Sequence, residues 1–208
     1  NQGSTTRSPW FEVACCPGNI ARFLPSFSGY IYAQMRGALY VNLFVTSHAA
    51  VELNGHKVVV RQQTRYPWDG AVKIVLEPDE SCAFSVAIRI PGWARNEVLP
   101  GDLYRFLDHS DAWPTARING EAMTVDAPGD GFMRIQRTWS PGDTIELDLP
   151  MPIRRIAANE KVQADRGRVA LQRGPLVYCA EWCDQSDRRV GNLILSDDVL
   201  LNSHWQNG

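Results

Sequence analysis

Residues 51–61 read Val51-Glu52-Leu53-Asn54-Gly55-His56-Lys57-Val58-Val59-Val60-Arg61. Apolar-rich runs flank Asn54-Gly55, the dipeptide preferred in a two-residue hairpin because both of its positions take positive φ. The stretch predicts two antiparallel strands joined by a tight turn. The same signal recurs at Asn119-Gly120, and Pro141-Gly142-Asp143 gives a third break. Further strands are expected near 72–76, 82–90, 116–118, 121–125, 131–137 and 144–149. Short strands punctuated at this spacing predict an all-β fold, an antiparallel β-sandwich of jelly-roll-like type. Upstream, Leu39, Val41, Leu43 and Val45 alternate with Tyr40, Asn42 and Phe44, which suits a strand covered on both faces.

The two ends of the chain depart from this pattern. Near the start, Ile20, Phe23 and Leu24 follow a helical period. Pro17 suits a first helical turn, where its missing N–H costs nothing, and Pro25 supplies a stop. A short helix is therefore expected over about 17–24, with Cys15 and Cys16 at its N-terminal entrance. Residues 94–114 interrupt the strand pattern and read as an inserted loop, with room for a helical turn. At Pro150-Met151-Pro152 the composition breaks again. Strands then follow near 153–156, 168–173 and 176–181. Residues 151–208 fall short of the roughly 100 that a sandwich uses. They are expected to form a partial second β-sandwich, after a first one over 30–150.

The chain has 208 residues, of which 44% are hydrophobic, an ordinary share for a protein that buries a core. Its net charge is −2, with 21 basic and 23 acidic residues. That balance gives no footprint for nucleic acid or for an anionic membrane surface. Nor does any stretch approach the roughly 20 apolar residues of a membrane helix. Five cysteines stand at 15, 16, 82, 179 and 183, an odd count that does not suggest a disulfide framework. Cys82 lies in an alternating apolar run and is expected to be buried. Cys179 and Cys183 are expected as two free thiols, with a bond between them left open.

Cys15-Cys16 is the sharpest local feature. Adjacent cysteines seldom bond to each other, because neighbouring Cα atoms are closer than disulfide geometry asks. Two readings of the pair stand. One is a pair of buried cysteines beside a helix. The other is a pair of thiolates, favoured by the helix dipole and further stabilised by a zinc ion. A zinc site normally takes four ligands. None of the other cysteines has ligand spacing to this pair, and His48, His56, His109 and His204 are scattered. The chain does not complete a zinc site by itself. His56, just after a hairpin turn, is expected to face solvent.

Most glycosidases work with paired carboxylates, but Glu12 and Asp69 read here as structural. There is no phosphate loop, no Ser-His-Asp order, and no C-x-x-C spacing for a redox or zinc-storage site. Tryptophans stand at 10, 68, 93, 113, 139, 182 and 205. Trp93 and Trp139 are expected to plug the core or a domain contact, and the others leave open a row that stacks on sugars.

Longer strings carry a resemblance. SPWFEVACCPGNIARF (8–23), GYIYAQ (29–34) and LYVNLFV (39–45) are similar to glycoside hydrolase family 127, the β-L-arabinofuranosidases. So are TRYPWDG (64–70), FSVAIRIPGWA (84–94), INGEA (118–122), MRIQRTWSPGDTIELDLPMPIRRI (133–156) and VALQRGPLVYCAE (169–181). The resemblance implies an (α/α)6 barrel followed by two β-sandwiches, with residues 1–29 as the last segment of the barrel. It places the catalytic nucleophile on Cys15, which is also a zinc ligand, and a second zinc ligand on Cys16. The other ligands, a Glu and a Cys, and the acid/base Glu would lie upstream. The implied chemistry is retaining hydrolysis that releases L-arabinofuranose or a related sugar, with zinc as cofactor and the isolated chain inactive. The implied partners are plant-derived arabinofuranosyl glycans or related oligosaccharides and the missing catalytic barrel, with a homodimer left open. The resemblance leaves the location open between bacterial cytoplasm and periplasm. A different class of reading is a non-catalytic sandwich module that supports a barrel or binds carbohydrate.

Overall fold

The Asn54-Gly55 turn forms as its sequence predicts. Both residues take positive φ, 53° and 85°, and Leu53 pairs directly with His56. The structure is a computed structural model that describes residues 15–126 and 129–205. It begins with a helix α1 (Cys15–Ser26) and a 3-10 turn (Phe27–Tyr30). The strands are β1 (Tyr32–Met35), β2 (Ala38–Val41), β3 (Ser47–Leu53), β4 (His56–Thr64), β5 (Ala71–Pro78), β6 (Cys82–Arg89) and β7 (Tyr104–Phe106). They continue with β8 (Thr115–Ile118), β9 (Glu121–Met123), β10 (Phe132–Trp139), β11 (Asp143–Asp148), β12 (Ile153–Ala158), β13 (Ala170–Arg173) and β14 (Leu176–Val177).

Two sheets make the sandwich. One has the order β1-β2-β6-β10 and the other β3-β4-β5-β11-β8-β9. Pairing is antiparallel except between β2 and β6, which run parallel. A parallel pair needs a long crossover, and here the chain makes it by visiting the other sheet in β3, β4 and β5. Inward side chains of both sheets, among them Leu39, Val60, Ile74, Phe84, Ile88, Met133 and Ile145, form one core. Trp139 is fully buried in it. Its indole N–H donates to the Phe84 carbonyl at 3.0 Å, so the largest core side chain leaves no polar atom unpaired. Cys82 is buried as expected, and that burial pushes its thiol pKa up. Gln62 is also buried. Its amide donates to the Tyr32 hydroxyl at 2.9 Å and to the Leu43 carbonyl at 3.2 Å, linking the two sheets.

Three sequence expectations change in detail. The strand expected through Val45 ends at Val41. The Ile31 carbonyl accepts N–H bonds from both Asn42 (2.9 Å) and Leu43 (3.4 Å). That doubling shifts the side-chain phase, so Phe44 rather than Leu43 turns into the core, edge-on to Tyr66 at 5.5 Å. Secondly, α1 starts at the cysteines themselves and carries Pro25 inside its last turn, where a missing N–H breaks a single helical bond. Thirdly, His56 is half-buried rather than solvent-facing. Its Nδ1 lies 3.4 Å from carboxylate oxygens of both Asp79 and Glu80.

The second and third turns are tied together. Asp143 accepts from the Ser140 backbone N–H at 2.9 Å and from the Asn119 amide at 2.8 Å. Burial alone would raise the Asp143 pKa, but these two donors and the Arg137 charge outweigh it and hold the carboxyl below its usual range. A carboxyl lowered in the folded state adds stability above its unfolded pKa of about 3.9 and loses it as pH falls through the lower folded value. Thermal melts are expected to hold steady from pH 7 to about 5 and to fall below about pH 4. The acid-induced drop should be smaller in Asp143→Asn, and an equal drop would remove Asp143 from the account.

A third sheet has the order β14-β13-β12-β7. Its edge strand β7 comes from the segment expected as an inserted loop. That segment opens with a 3-10 turn (Gly92–Arg95) and then pairs Phe106 with Ile156 and Tyr104 with Ala158. Arg154 clamps this junction and is 5% exposed. It donates to Asn96 Oδ1 at 2.6 Å and to the Asp108 carbonyl. Its guanidinium lies 3.6 Å from the centre of the Phe106 ring. Arg154→Ala is expected to cost about 2–4 kcal/mol in urea unfolding, because it strands two acceptors and opens a cavity. Arg154→Lys should recover little of this, since one ammonium cannot serve the forked geometry.

Candidate active-site segment

Cys15 and Cys16 are the first two residues of α1, followed by Pro17 and Gly18. The first turn contains no acidic residue, so no carboxylate in it competes with the thiols for the positive end of the helix dipole. Within the helix, the Arg22 Nε–H donates to the Gly18 carbonyl at 3.1 Å, and the Ser26 hydroxyl donates to the Phe23 carbonyl at 2.9 Å. The helix joins the sandwich at its C-terminal end. There Ile31 is buried and its carbonyl holds the start of the loop after β2.

Every side chain from Cys16 to Ser26 is exposed. Ile20, Phe23 and Leu24 form the helical stripe, at 58%, 51% and 65% exposure. Phe23 stacks on Tyr30 (6.2 Å) and meets Phe27 edge-on (5.7 Å), but this leaves the stripe open. A twelve-residue helix is marginal alone in water and normally relies on packing of its apolar face. The exposure of Cys16 does not fit the reading of two buried cysteines. Glu12 and Trp10 lie outside the described residues.

The other candidates do not gather around the cysteines. His48 is exposed on β3, and His109 is exposed beside Asp111 at 3.1 Å. Asp69 is structural: it accepts the Ala71 N–H at 3.3 Å and lies 3.4 Å from Arg65. Cys179 and Cys183 are both reduced and exposed. Trp93 packs against the core, as expected. Trp113 sends its indole N–H to the Val125 carbonyl at 3.1 Å.

Sequence reading missed one cluster. Donor atoms of Glu181, Cys183 and Asp184 lie within 4.8 Å of one another. Desolvation and the two neighbouring carboxylates push the Cys183 thiol up. A thiol held protonated is a poor metal ligand and a poor nucleophile.

Comparison with known proteins gives a consistent result. Residues 38–151 match the family description "Beta-L-arabinofuranosidase, GH127 middle domain". Residues 153–205 match "Glycoside hydrolase family 127 C-terminal domain". The non-reducing end β-L-arabinofuranosidase of Bifidobacterium longum subsp. longum is 35% identical over a 200-residue alignment that covers 93% of this chain and 27% of that protein. A family 127 β-L-arabinofuranosidase from Geobacillus stearothermophilus superposes with a TM-score of 0.81 at 38% identity, over 97% of this chain and 29% of that one. Another solved family 127 β-arabinofuranosidase gives 0.80 at 43% identity, over 86% of this chain and 28% of that one. The chain thus spans little more than a quarter of the length of the curated relative.

Proposed function

The chain belongs to glycoside hydrolase family 127, and on that premise we propose that it is the C-terminal part of a retaining glycosidase. The enzyme would release L-arabinofuranose or a related sugar, with Cys15 as nucleophile. The observation that carries this reading is the Cys15-Cys16-Pro17 run at the head of an amphipathic helix whose apolar stripe is open. A catalytic barrel packed on Ile20, Phe23 and Leu24 would cover that stripe and bring the remaining catalytic groups to the cysteines.

The donor set fits zinc in kind. Cys15 and Cys16 are two sulfur donors at a helix N-terminus, half of the four ligands that a zinc site usually has. Zinc bound there would keep the Cys15 thiol ionised and make its sulfur a better leaving group. Cys15 attacks the anomeric carbon, and the glycosidic C–O bond breaks as the departing alcohol takes a proton from a barrel carboxylic acid. Water then attacks the same carbon, gives its proton to that carboxylate, and releases the Cys15 sulfur. Two inversions give net retention.

The test compares this chain with the enzyme that carries the barrel. Turnover of an aryl β-L-arabinofuranoside is expected only from the latter, and the first-formed sugar should have the β configuration. Mass spectrometry after rapid acid quench should find a glycosyl adduct on the peptide containing Cys15. Turnover by the isolated chain, or an inverted product, would sink the reading.

A further inference from the structure

The outer face of the six-stranded sheet carries a groove of about 670 Å³. Four side chains cross its floor on directly paired residues of four strands. Gln63 on β4 faces Lys73 on β5, Lys73 faces Glu146 on β11, and Glu146 faces Arg117 on β8. Lys73 and Glu146 pair at 3.7 Å. A second row runs beside the first, with Ala71 facing Asp148 and Asp148 facing Thr115. The side chains of Gln63, Thr115 and Asp148 make no hydrogen bond or ion pair with the described residues. Their donors and acceptors therefore point into the groove unspent. At one end the β4–β5 loop supplies Arg65 and Asp69. That loop also presents Trp68, half-exposed, whose ring meets Trp205 edge-on at 5.3 Å.

We propose that this groove binds a neutral oligosaccharide, laid across strands β4, β5, β11 and β8 and long enough to run past the Arg65–Asp69 end onto the Trp68–Trp205 pair, which lies outside the groove's own lining. The charges argue for that chemistry. Arg65, Lys73 and Arg117 are balanced by Asp69, Glu146 and Asp148. A groove with no net charge has no attraction for a phosphate, a polyuronate or a nucleic acid. It does offer closely spaced amide, guanidinium and carboxylate groups, which bind the adjacent hydroxyls of a sugar from both the donor and the acceptor side. An exposed indole face adds a flat apolar platform for the C–H side of a ring. The proposal concerns binding alone and stands whether or not Cys15 is a nucleophile.

Calorimetric titration of the 208-residue chain with α-1,5-arabinotriose and arabinopentaose tests it, with polygalacturonate oligomers as the anionic comparison. A Kd of about 1 mM or tighter is expected for the longer neutral oligomer. Trp68→Ala and the double variant Gln63→Ala/Glu146→Ala should each weaken binding at least fivefold, with an unchanged β-sheet circular dichroism spectrum. Saturation-transfer NMR, which tolerates partial unfolding, should show the ring protons of the bound sugar losing their transfer signal in Trp68→Ala. No binding at 10 mM neutral oligomer (a Kd far above the expected ~1 mM) would overturn the proposal. So would tighter binding of the anionic oligomer. Binding by this chain that disappears in the enzyme carrying the barrel would identify the face as a domain contact, and would overturn it too.

Discussion

Gly70→Ala is expected to unfold the sandwich. Gly70 is buried where the chain enters β5, and the Leu149 N–H donates to its carbonyl at 3.1 Å. A Cβ on Gly70 would stand 1.9 Å from the Leu149 carbonyl oxygen and 2.7 Å from its carbonyl carbon. Both are backbone atoms, so no rotamer change can relieve the clash. Relief requires β5 and β11 to separate at their paired ends, where Ala71 meets Asp148 and Val72 meets Leu147. Those strands are central in their sheet, and Leu147 and Leu149 belong to the core. A cost above about 4 kcal/mol belongs to the exceptional tail of single substitutions, and a domain with roughly 5–15 kcal/mol of total stability has little left after it. Loss of the cooperative urea transition, or a midpoint shift of that size, is the expected result. Gly142→Ala is the comparison, because no atom lies within 4 Å of its Cβ position. It should cost only the strain of its φ of 88°, about 1–2 kcal/mol.

In the enzyme that carries the barrel, Cys15→Ala is expected to lower kcat/KM by on the order of 10⁴-fold or more, the scale on which loss of a covalent nucleophile is felt. Cys16→Ser tests the division of roles between the pair. As a ligand only, Cys16 would set how tightly zinc is held, so its loss should lower zinc content and activity together. Added zinc should restore part of that activity in Cys16→Ser and none in Cys15→Ala. Near-normal turnover by Cys15→Ala would remove it as nucleophile, and rescue of both variants by zinc would reduce both residues to ligands.

What could be read from the sequence follows from how local its cause is. The turns at Asn54-Gly55 and Asn119-Gly120 were legible because two adjacent residues decide the positive φ they need. Cys82 was legible as core because alternation assigns it an inward face, and Trp139 because a large apolar ring beside turn residues is expected to plug the core or a domain contact. Phe44 was not, because its inward turn depends on the Ile31 carbonyl taking two N–H bonds from a neighbouring segment. Nor was Arg154, whose partners Asn96 and Asp108 arrive from about fifty residues upstream in a stretch without periodicity. The groove was invisible for a similar reason. Lys73, Glu146 and Arg117 become a row only when β11 inserts between β5 and β8. The cysteine pair was conspicuous as an odd dipeptide, yet its proposed chemistry came from resemblance, because nothing near it in the chain completes a metal site.

The short strand β7 also bears on how such proteins can be cut and recombined. The family's middle and C-terminal segments meet at about residue 152, an inviting place for a fusion point or a protease site. Yet Tyr104–Phe106 belong by sequence to the first segment and by hydrogen bonding to the second. A chain severed there would leave β12 with a bare edge, open to a strand from any neighbour, while residues 94–114 would hang from the sandwich without the sheet they complete. Two such fragments should therefore find each other again in solution by strand complementation. A chimaera built from two relatives would have to take residues 94–114 from the same parent as everything after 152.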